Sequence, residues 1–167
     1  MDLLSCDIRS VRGVGESRAK LLGKLGIHTV EDMLYFFPRY VEDRSQFVPI
    51  SQLQDGTNAC VRAQIYGPVQ QRRIKKNLTL YTVVLRDGYD TCTACWFNNR
   101  FVMDAFTPGC YYHFYGKVNV KYGKKELSNP TYESDTSNLH MGRVVPIYSL
   151  TEKLSQKMIR SIAKECV

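Results

Sequence analysis

The chain has 167 residues, 44% hydrophobic and 23% charged, with a formal net charge of +7, which gives enough apolar surface for a core in one domain with an appendage or in two small ones. No apolar run approaches the ~18 residues of a membrane span, and the opening MDLLSCDIRS has an early acid and no cationic stretch, so it is not a secretory signal. The positive excess points to a polyanionic partner, nucleic acid before an anionic membrane, against the plain alternative of a basic soluble domain.

Residues 1–46 read as helical. VRGVGESRAKLLGKLGI (11–27) opens on a Gly-Val-Gly turn and carries Ala19, Leu21, Leu22 and Leu25 on one stripe, with Gly26 placed for a left-handed cap. In TVEDMLYFFP, Thr29 and Asp32 have capping-box spacing. Val30, Met33, Leu34 and Phe37 make the apolar face, and Pro38 ends the helix.

From about residue 58 the period changes to two. In ACVRAQIYGP, Val61, Ala63 and Ile65 face one way and Arg62, Gln64 and Tyr66 the other, until Gly67-Pro68 bends or ends the strand. QRRIKKN (71–77) reads as a basic loop, LTLYTVVLR as a second strand, Asp87-Gly88 as a hairpin turn and DTCTACWF as a third strand. NNRFVMDAF is a short helix. CYYHFYGKVNVK is a long fourth strand with Tyr112, Phe114, Val118 and Val120 inward and Tyr111, His113, Tyr115, Lys117 and Lys121 outward. After the tight turn YGKK, ELSNPTYE is a fifth strand broken by Pro130. SDTSNLHMG (134–142) reads as a linker. Ser155 then caps a helix that presents Met158, Ile159 and Ile162 on one side and runs to Val167 with no stop signal, as in a chain that continues.

Five strands with a short helix between the third and fourth is the element order of a five-stranded OB-fold Greek-key barrel. The expected fold is therefore mainly β with N-terminal helices. Its parts are a helical, helix-hairpin-helix-like segment over 1–46, an OB-fold domain over 47–134, and a linker with the start of a further connection over 135–167. The OB fold offers the face of strands 2 and 3 and the loops 1–2 and 4–5 to oligonucleotides. Arg72, Arg73, Lys75 and Lys76 fall in the first of those loops and Lys121, Lys124 and Lys125 in the second. The alternative is that hairpin tips are basic simply to stay solvated and to blunt edges.

The chemistry of catalysis is missing. The Gly-Lys pairs at Gly23, Gly116 and Gly123 lack both the upstream glycine and the following Ser/Thr of a P-loop. No carboxylate pair or Ser/His/Asp set stands out, and His28, His113 and His140 lie far apart in sequence. The six cysteines are scattered and mostly in apolar patterns, as reduced core thiols of a cytosolic protein are. CTAC (92–95) has metal-pair spacing, but no second pair follows and its two thiols point to opposite faces of a strand, so no metal is expected. Gly13 and Gly15 open a helix whose free N–H groups suit one phosphate, with Lys20 and Lys24 nearby; a purely structural turn reads equally well.

CWFNNRFVMDAF (95–106) poses the sharpest question. Strand alternation sends Phe97 out if Trp96 fills the barrel, and Phe101 follows one helical turn later. An exposed aromatic pair suits a flat partner, since stacking a base on an aromatic contributes roughly 1–3 kcal/mol. Packing of Phe101 with Val102 and Phe106 in the core fits the spacing as well.

GVGESRAKLLGKLGIHTVEDMLYFFPRYVEDRS, LRDGYDTCTACWFNNRF, GKVNVKYGKKELSNPTYE and RVVPIYSLTEKLSQKMIRSIA each resemble, in register, the N-terminal part of the RecG family of ATP-dependent DNA helicases. The resemblance implies a wedge domain with an OB fold, which splits strands at a replication fork or Holliday junction while two motor domains pull duplex. It places the family's stacking pair on Phe97 and Phe101, with Phe where the family often has Tyr, and puts Arg100 beside it as a further phosphate contact. It implies that ATP and magnesium bind only the motor domains, which follow in cis, and that this chain, a monomer of the bacterial cytoplasm at the nucleoid, needs no cofactor. Rival readings are a sequence-independent single-strand binder and a protein-interaction domain.

Overall fold

The computed structural model describes residues 3–137 and 140–167; Asn138 and Leu139 of the expected linker lie outside them. The elements are α1 (Glu16–Gly23), α2 (Val30–Leu34), β1 (Tyr40–Asp43), β2 (Asn58–Ile65), β3 (Gln70–Lys75), β4 (Leu78–Asp87), β5 (Asp90–Phe97), β6 (Tyr111–Lys121), β7 (Lys124–Ser134), β8 (Val144–Ile147) and α3 (Gln156–Cys166). Short 3-10 helices lie at Leu3–Ser5, Ile8–Ser10, Ile50–Gln52 and Arg100–Asp104. β1 pairs with β8 in a two-stranded sheet. The chain forms two units, Met1–Glu42 with Val145–Val167, and Asp43–Val144.

The first unit is built on short helices, of which α2 and α3 carry side-chain N-caps. The Thr29 hydroxyl accepts from the Asp32 N–H, while the Asp32 carboxylate accepts from the N–H groups of His28 and Thr29, so the expected capping box is present. Ser155 caps α3 by accepting from the Met158 N–H at 3.2 Å. Leu22, Ile27, Met33, Leu154, Ile159 and Ile162 close over one another with Ile8, Val11 and Val14 as a common core. Leu34 and Phe37 are exposed, at 38% and 74%, which corrects the four-residue apolar face expected for α2. That helix stops at Leu34, so Phe37 is not on its surface at all.

In the second unit the sheet order is β2-β6-β7-β5-β4-β3, and a β2–β4 pairing closes it into a barrel. The pairings are antiparallel except β5 with β7, which run parallel with Thr93 beside Glu126 and Cys95 beside Ser128. β2 and β3 meet the same partner in succession, at Gln64–Arg86 and Gln70–Thr82. They are two halves of one bent strand, hinged at Gly67-Pro68. Counted so, the barrel has five strands and a helical turn between the third and fourth, the OB arrangement. The stretch 71–77 expected as a loop is largely strand. Its side chains are exposed along the whole edge, so no alternation betrays it.

Alternation elsewhere is as the sequence predicts. Val61, Ala63, Ile65, Val83, Leu85, Phe114, Val118 and Leu127 are buried in one core. Trp96 points inward, donates its indole N–H to the Pro130 carbonyl at 2.9 Å, and packs near Phe106 and Tyr132. Pro130 does not break β7, contrary to expectation, because β7 bulges there: Asn129 and Pro130 together stand opposite the single Gly116 of β6, between the Tyr115–Thr131 and Lys117–Ser128 pairs. Gly116 is required at that bulge, since a Cβ there would meet the Pro130 Cα at 2.9 Å. His113 projects from the outer face as expected yet is buried. The Phe47 ring covers it at 4.6 Å, and its Nε2 lies 2.8 Å from Asp135, which also takes both arms of Arg62. Met141 and His140, in the stretch read as a linker, are buried too.

Candidate nucleic-acid interface

One end of the barrel gathers aromatic rings and positive charge. Leu80 pairs with Phe97 on one side and with Arg72 on the other. Cross-strand partners project from the same face, so Arg72, Leu80 and Phe97 form one outward row. Arg73 lies opposite Thr79 and its guanidinium donates to the Lys76 carbonyl at 3.1 Å. Lys75 pairs with Leu78, leaving Lys76 and Asn77 as the tip of a β3–β4 ribbon.

Phe97 is 44% exposed and Phe101 88% exposed. The core alternative for Phe101 is thus settled. Val102 is the residue of the Arg100–Asp104 turn that enters the barrel, and Phe106 packs among Trp96, Tyr112, Phe114 and Tyr132. Arg100 opens the same turn and is exposed.

The mount of this pair is built by residues that sequence reasoning missed. Asn98 sits at φ 53, in the left-handed region that asparagine tolerates better than most residues. Its side chain accepts from the Thr79 N–H at 2.8 Å and donates to the Asn77 carbonyl at 3.0 Å, while its own N–H donates to the Thr79 carbonyl. Asn129, also left-handed at φ 44, accepts the Phe97 N–H. The chain therefore turns sharply after Phe97, and the turn is pinned to β4 and β7. The Asn-Asn pair after an aromatic strand end is the one signal in the sequence that marks it.

The basic residues of the β6–β7 hairpin are at the other end of the barrel. Lys121 and Lys124 close the β6–β7 hairpin and are exposed. Because β5 and β7 run parallel, that hairpin lies by the Asp90 end of β5. The eight residues of β5 put it about 23 Å along the strand from Phe97. The Lys125 ammonium donates to the carbonyls of Ile50 and Ser51 at 2.7 and 2.6 Å. Gly13, Gly15 and Lys20 are in the first unit. Gly13 takes φ 85 with its carbonyl accepting from Arg18, and Gly15 is the N-cap of α1. Lys20 lines a surface cleft with Arg9, Lys24, His28, Asp7 and Glu16. Arg9 holds the Asp7 carboxyl down to about 2, leaving it ionised beside those cations.

Cys92 faces the barrel and Cys95 the opposite side of β5. Burial pushes both thiols up to about 12, so neither is a thiolate at neutral pH. Cys110 is exposed, unlike a core thiol. Among the described residues no three His, Cys, Asp or Glu side chains gather to hold a metal ion. No helix among them is long and apolar enough to cross a membrane.

The chain is 33% identical over 171 residues to the ATP-dependent DNA helicase RecG of Thermotoga maritima, covering 97% of this chain and 21% of that protein. It is 27% identical to the RecG helicases of Pasteurella multocida and Escherichia coli K12, covering 96% of this chain and 23% of each. It thus spans between a fifth and a quarter of the length of these curated relatives. A solved structure of RecG bound to a three-way DNA junction superposes with a TM-score of 0.86 at 33% identity, over 99% of this chain and 23% of that one. The model of the RecG wedge domain matches residues 7–167, and with that match this chain belongs to the RecG wedge domain family.

Proposed function

We propose that this chain is the wedge of a RecG-like, ATP-dependent DNA helicase of recombination and repair, and that it binds branched DNA and keeps the separated strands apart. The supporting observation is the outward pair Phe97 and Phe101 on a pinned turn beside a basic ribbon. A base pair at a branch point exposes one stacking face. The two rings cover that face and stand in for the neighbouring bases that unpairing takes away. Arg72, Arg73, Lys75, Lys76 and Arg100 hold the phosphates next to the branch, and Lys121 and Lys124 those farther along a strand, while Lys125, whose ammonium is held by the Ile50 and Ser51 carbonyls, braces the hairpin behind them. None of these groups reads sequence. The α1 turn at Gly13 and Gly15, with Lys20, meets one phosphate of the backbone.

In this reading residues 47–134 act as the wedge, residues 1–46 as its helical companion, and residues 135–167 lead to motor domains in cis. ATP and magnesium belong to those domains, since the chain has no Gly-x-x-x-x-Gly-Lys-Ser/Thr loop to hold a triphosphate. The protein works as a monomer in the bacterial cytoplasm, at the nucleoid.

Fluorescence anisotropy of the chain against a three-way junction, a single strand and a duplex, at two salt concentrations, tests the proposal. A salt-sensitive preference for the junction is expected. Equal binding to junction and single strand would make it a general single-strand binder. Binding that ignores salt, or none to any DNA, would favour a protein partner.

A further inference from the structure

The end of the barrel away from Phe97 carries a second pair of aromatic side chains. Tyr89 and Tyr122 are 99% and 103% exposed, so neither contributes to the core. Tyr89 is at the tip of the β4–β5 hairpin, after Gly88 at φ 71, and Tyr122 at the tip of the β6–β7 hairpin, before Gly123 at φ 74. The parallel register of β5 and β7, Thr93 with Glu126 and Cys95 with Ser128, brings these two tips alongside each other.

Tyr122 is in a conformation that stability alone would not select. Its φ is 51, the left-handed region that Gly, Asn or Asp occupy in such turns and that a bulky side chain enters only at a cost. A tyrosine there accepts backbone strain and full exposure of a ring and gives the fold nothing in return. Strain of this kind gathers at functional positions. Exposed cations lie next to the rings. Lys121 and Lys124 flank Tyr122, and the Arg86 guanidinium donates to the Gly88 carbonyl at 2.7 Å beneath Tyr89. Against them stand Asp90, Asp87 and Asp55, the latter two with carboxylates that accept from the Ile50 and Val120 N–H groups, and Glu126 opposite Asn119, so the tip offers the two lysines beside Tyr122 rather than a net positive field. Two rings on neighbouring tips, one of them flanked by lysines, suit a chain of flat bases joined by phosphates.

We infer that Tyr89 and Tyr122 form a second stacking station, which takes bases of a single strand after it has left the branch point. This deepens the proposed function and rests on it for the direction from which the strand arrives. The station stands about 23 Å from Phe97 along β5, so a strand reaches it only when unpaired for several nucleotides beyond the branch. Lys121 and Lys124 then bind the phosphates of that same segment.

The test measures three proteins on three DNAs. The proteins are the wild type, Tyr89→Ala with Tyr122→Asn, and Phe97→Ala with Phe101→Ala. Asn at 122 suits the left-handed turn, so the first variant keeps or raises the melting temperature, which is checked in parallel. The DNAs are a three-way junction with duplex arms only, the same junction with one single-stranded arm of about fifteen nucleotides, and that oligonucleotide alone. The wild type is expected to bind the junction with the single-stranded arm more tightly than the fully duplex one, by roughly fivefold or more. The tyrosine variant should lose that increment and weaken on the oligonucleotide, with duplex-junction affinity unchanged. The phenylalanine variant should weaken on both junctions. An increment that survives in the tyrosine variant, or is absent in the wild type, overturns the inference and leaves the junction reading standing. Tyrosine-dependent binding of the oligonucleotide with no preference for branched DNA overturns the junction reading and keeps the station. No binding to any of the three overturns both.

Discussion

Phe97 and Tyr89 mark the two ends of β5, and the ends are built differently. At the Phe97 end the ring is part of a strand row with Leu80 and Arg72, and Asn98 and Asn129 bind the backbone around it to two neighbouring strands. At the Tyr89 end the rings stand on hairpin tips, where turn geometry and the Arg86–Gly88 hydrogen bond set their position. A group that holds a base pair open works against a restoring force and needs a mount that does not yield. A group that accompanies a strand already separated needs reach and charge. The same ingredients, aromatic rings and cations, are thus set on a stiff base at one end and on turns at the other.

The largest effect comes from removing what both ends share. Trp96→Ala should cost about 3–5 kcal/mol, because it empties the barrel centre and strands the Pro130 carbonyl. Urea titration reads it, and DNA binding at either end should fall with the folded fraction. Next, Phe97→Ala with Phe101→Ala should lower junction affinity by roughly 1–3 kcal/mol per stacked base while melting stays cooperative. A lost transition would place the pair in the core. Asn98→Gly keeps the left-handed backbone and both rings but removes the side-chain bonds to Thr79 and Asn77. It should cost about 1 kcal/mol of stability and weaken junction binding with both phenylalanines present, whereas unaltered binding would show that the mount need not be stiff. Reversal of charge at Arg72 and Arg73 should lower affinity for every DNA form and reduce the slope of log K against log salt by about 2.

The smallest effect is in the first unit. Backbone N–H groups of His28 and Thr29 hold the Asp32 carboxyl below its ordinary value of 3.8. The folded value is depressed, so this stabilisation is fully present above pH 3.8 and is lost as pH falls through the lower folded value. Asp32→Asn should flatten that part of the acid limb in a stability-versus-pH series and leave DNA binding near neutrality unchanged.

What the sequence revealed follows from where each side chain is buried. Trp96 in and Phe97 out are legible because a strand with one buried face must alternate, and Asp87-Gly88 marks its hairpin locally. Gln70–Lys75 is illegible as a strand because it is an edge ribbon with no buried face, so pairing alone holds it straight. His113 alternates outward as predicted, and it is Phe47, Glu133 and Asp135, all distant in sequence, that crowd its ring. Pro130 looks like a strand breaker until Gly116 is seen across from it. The division of the basic residues between two ends is a matter of barrel closure, which no local pattern carries. Phe101 was decidable only by its neighbours, since Val102 takes the inward place on that turn.

The most direct test of the central claim puts a fluorescent adenine analogue in the base pair at the branch point of a three-way junction. Emission is compared at saturating wild-type chain and at saturating Phe97→Ala with Phe101→Ala. A change is expected on binding the wild type, as the base exchanges its neighbour for an aromatic ring, and little change with the variant. An equal change with both proteins would contradict the claim, because the junction would then be opened or held without the rings.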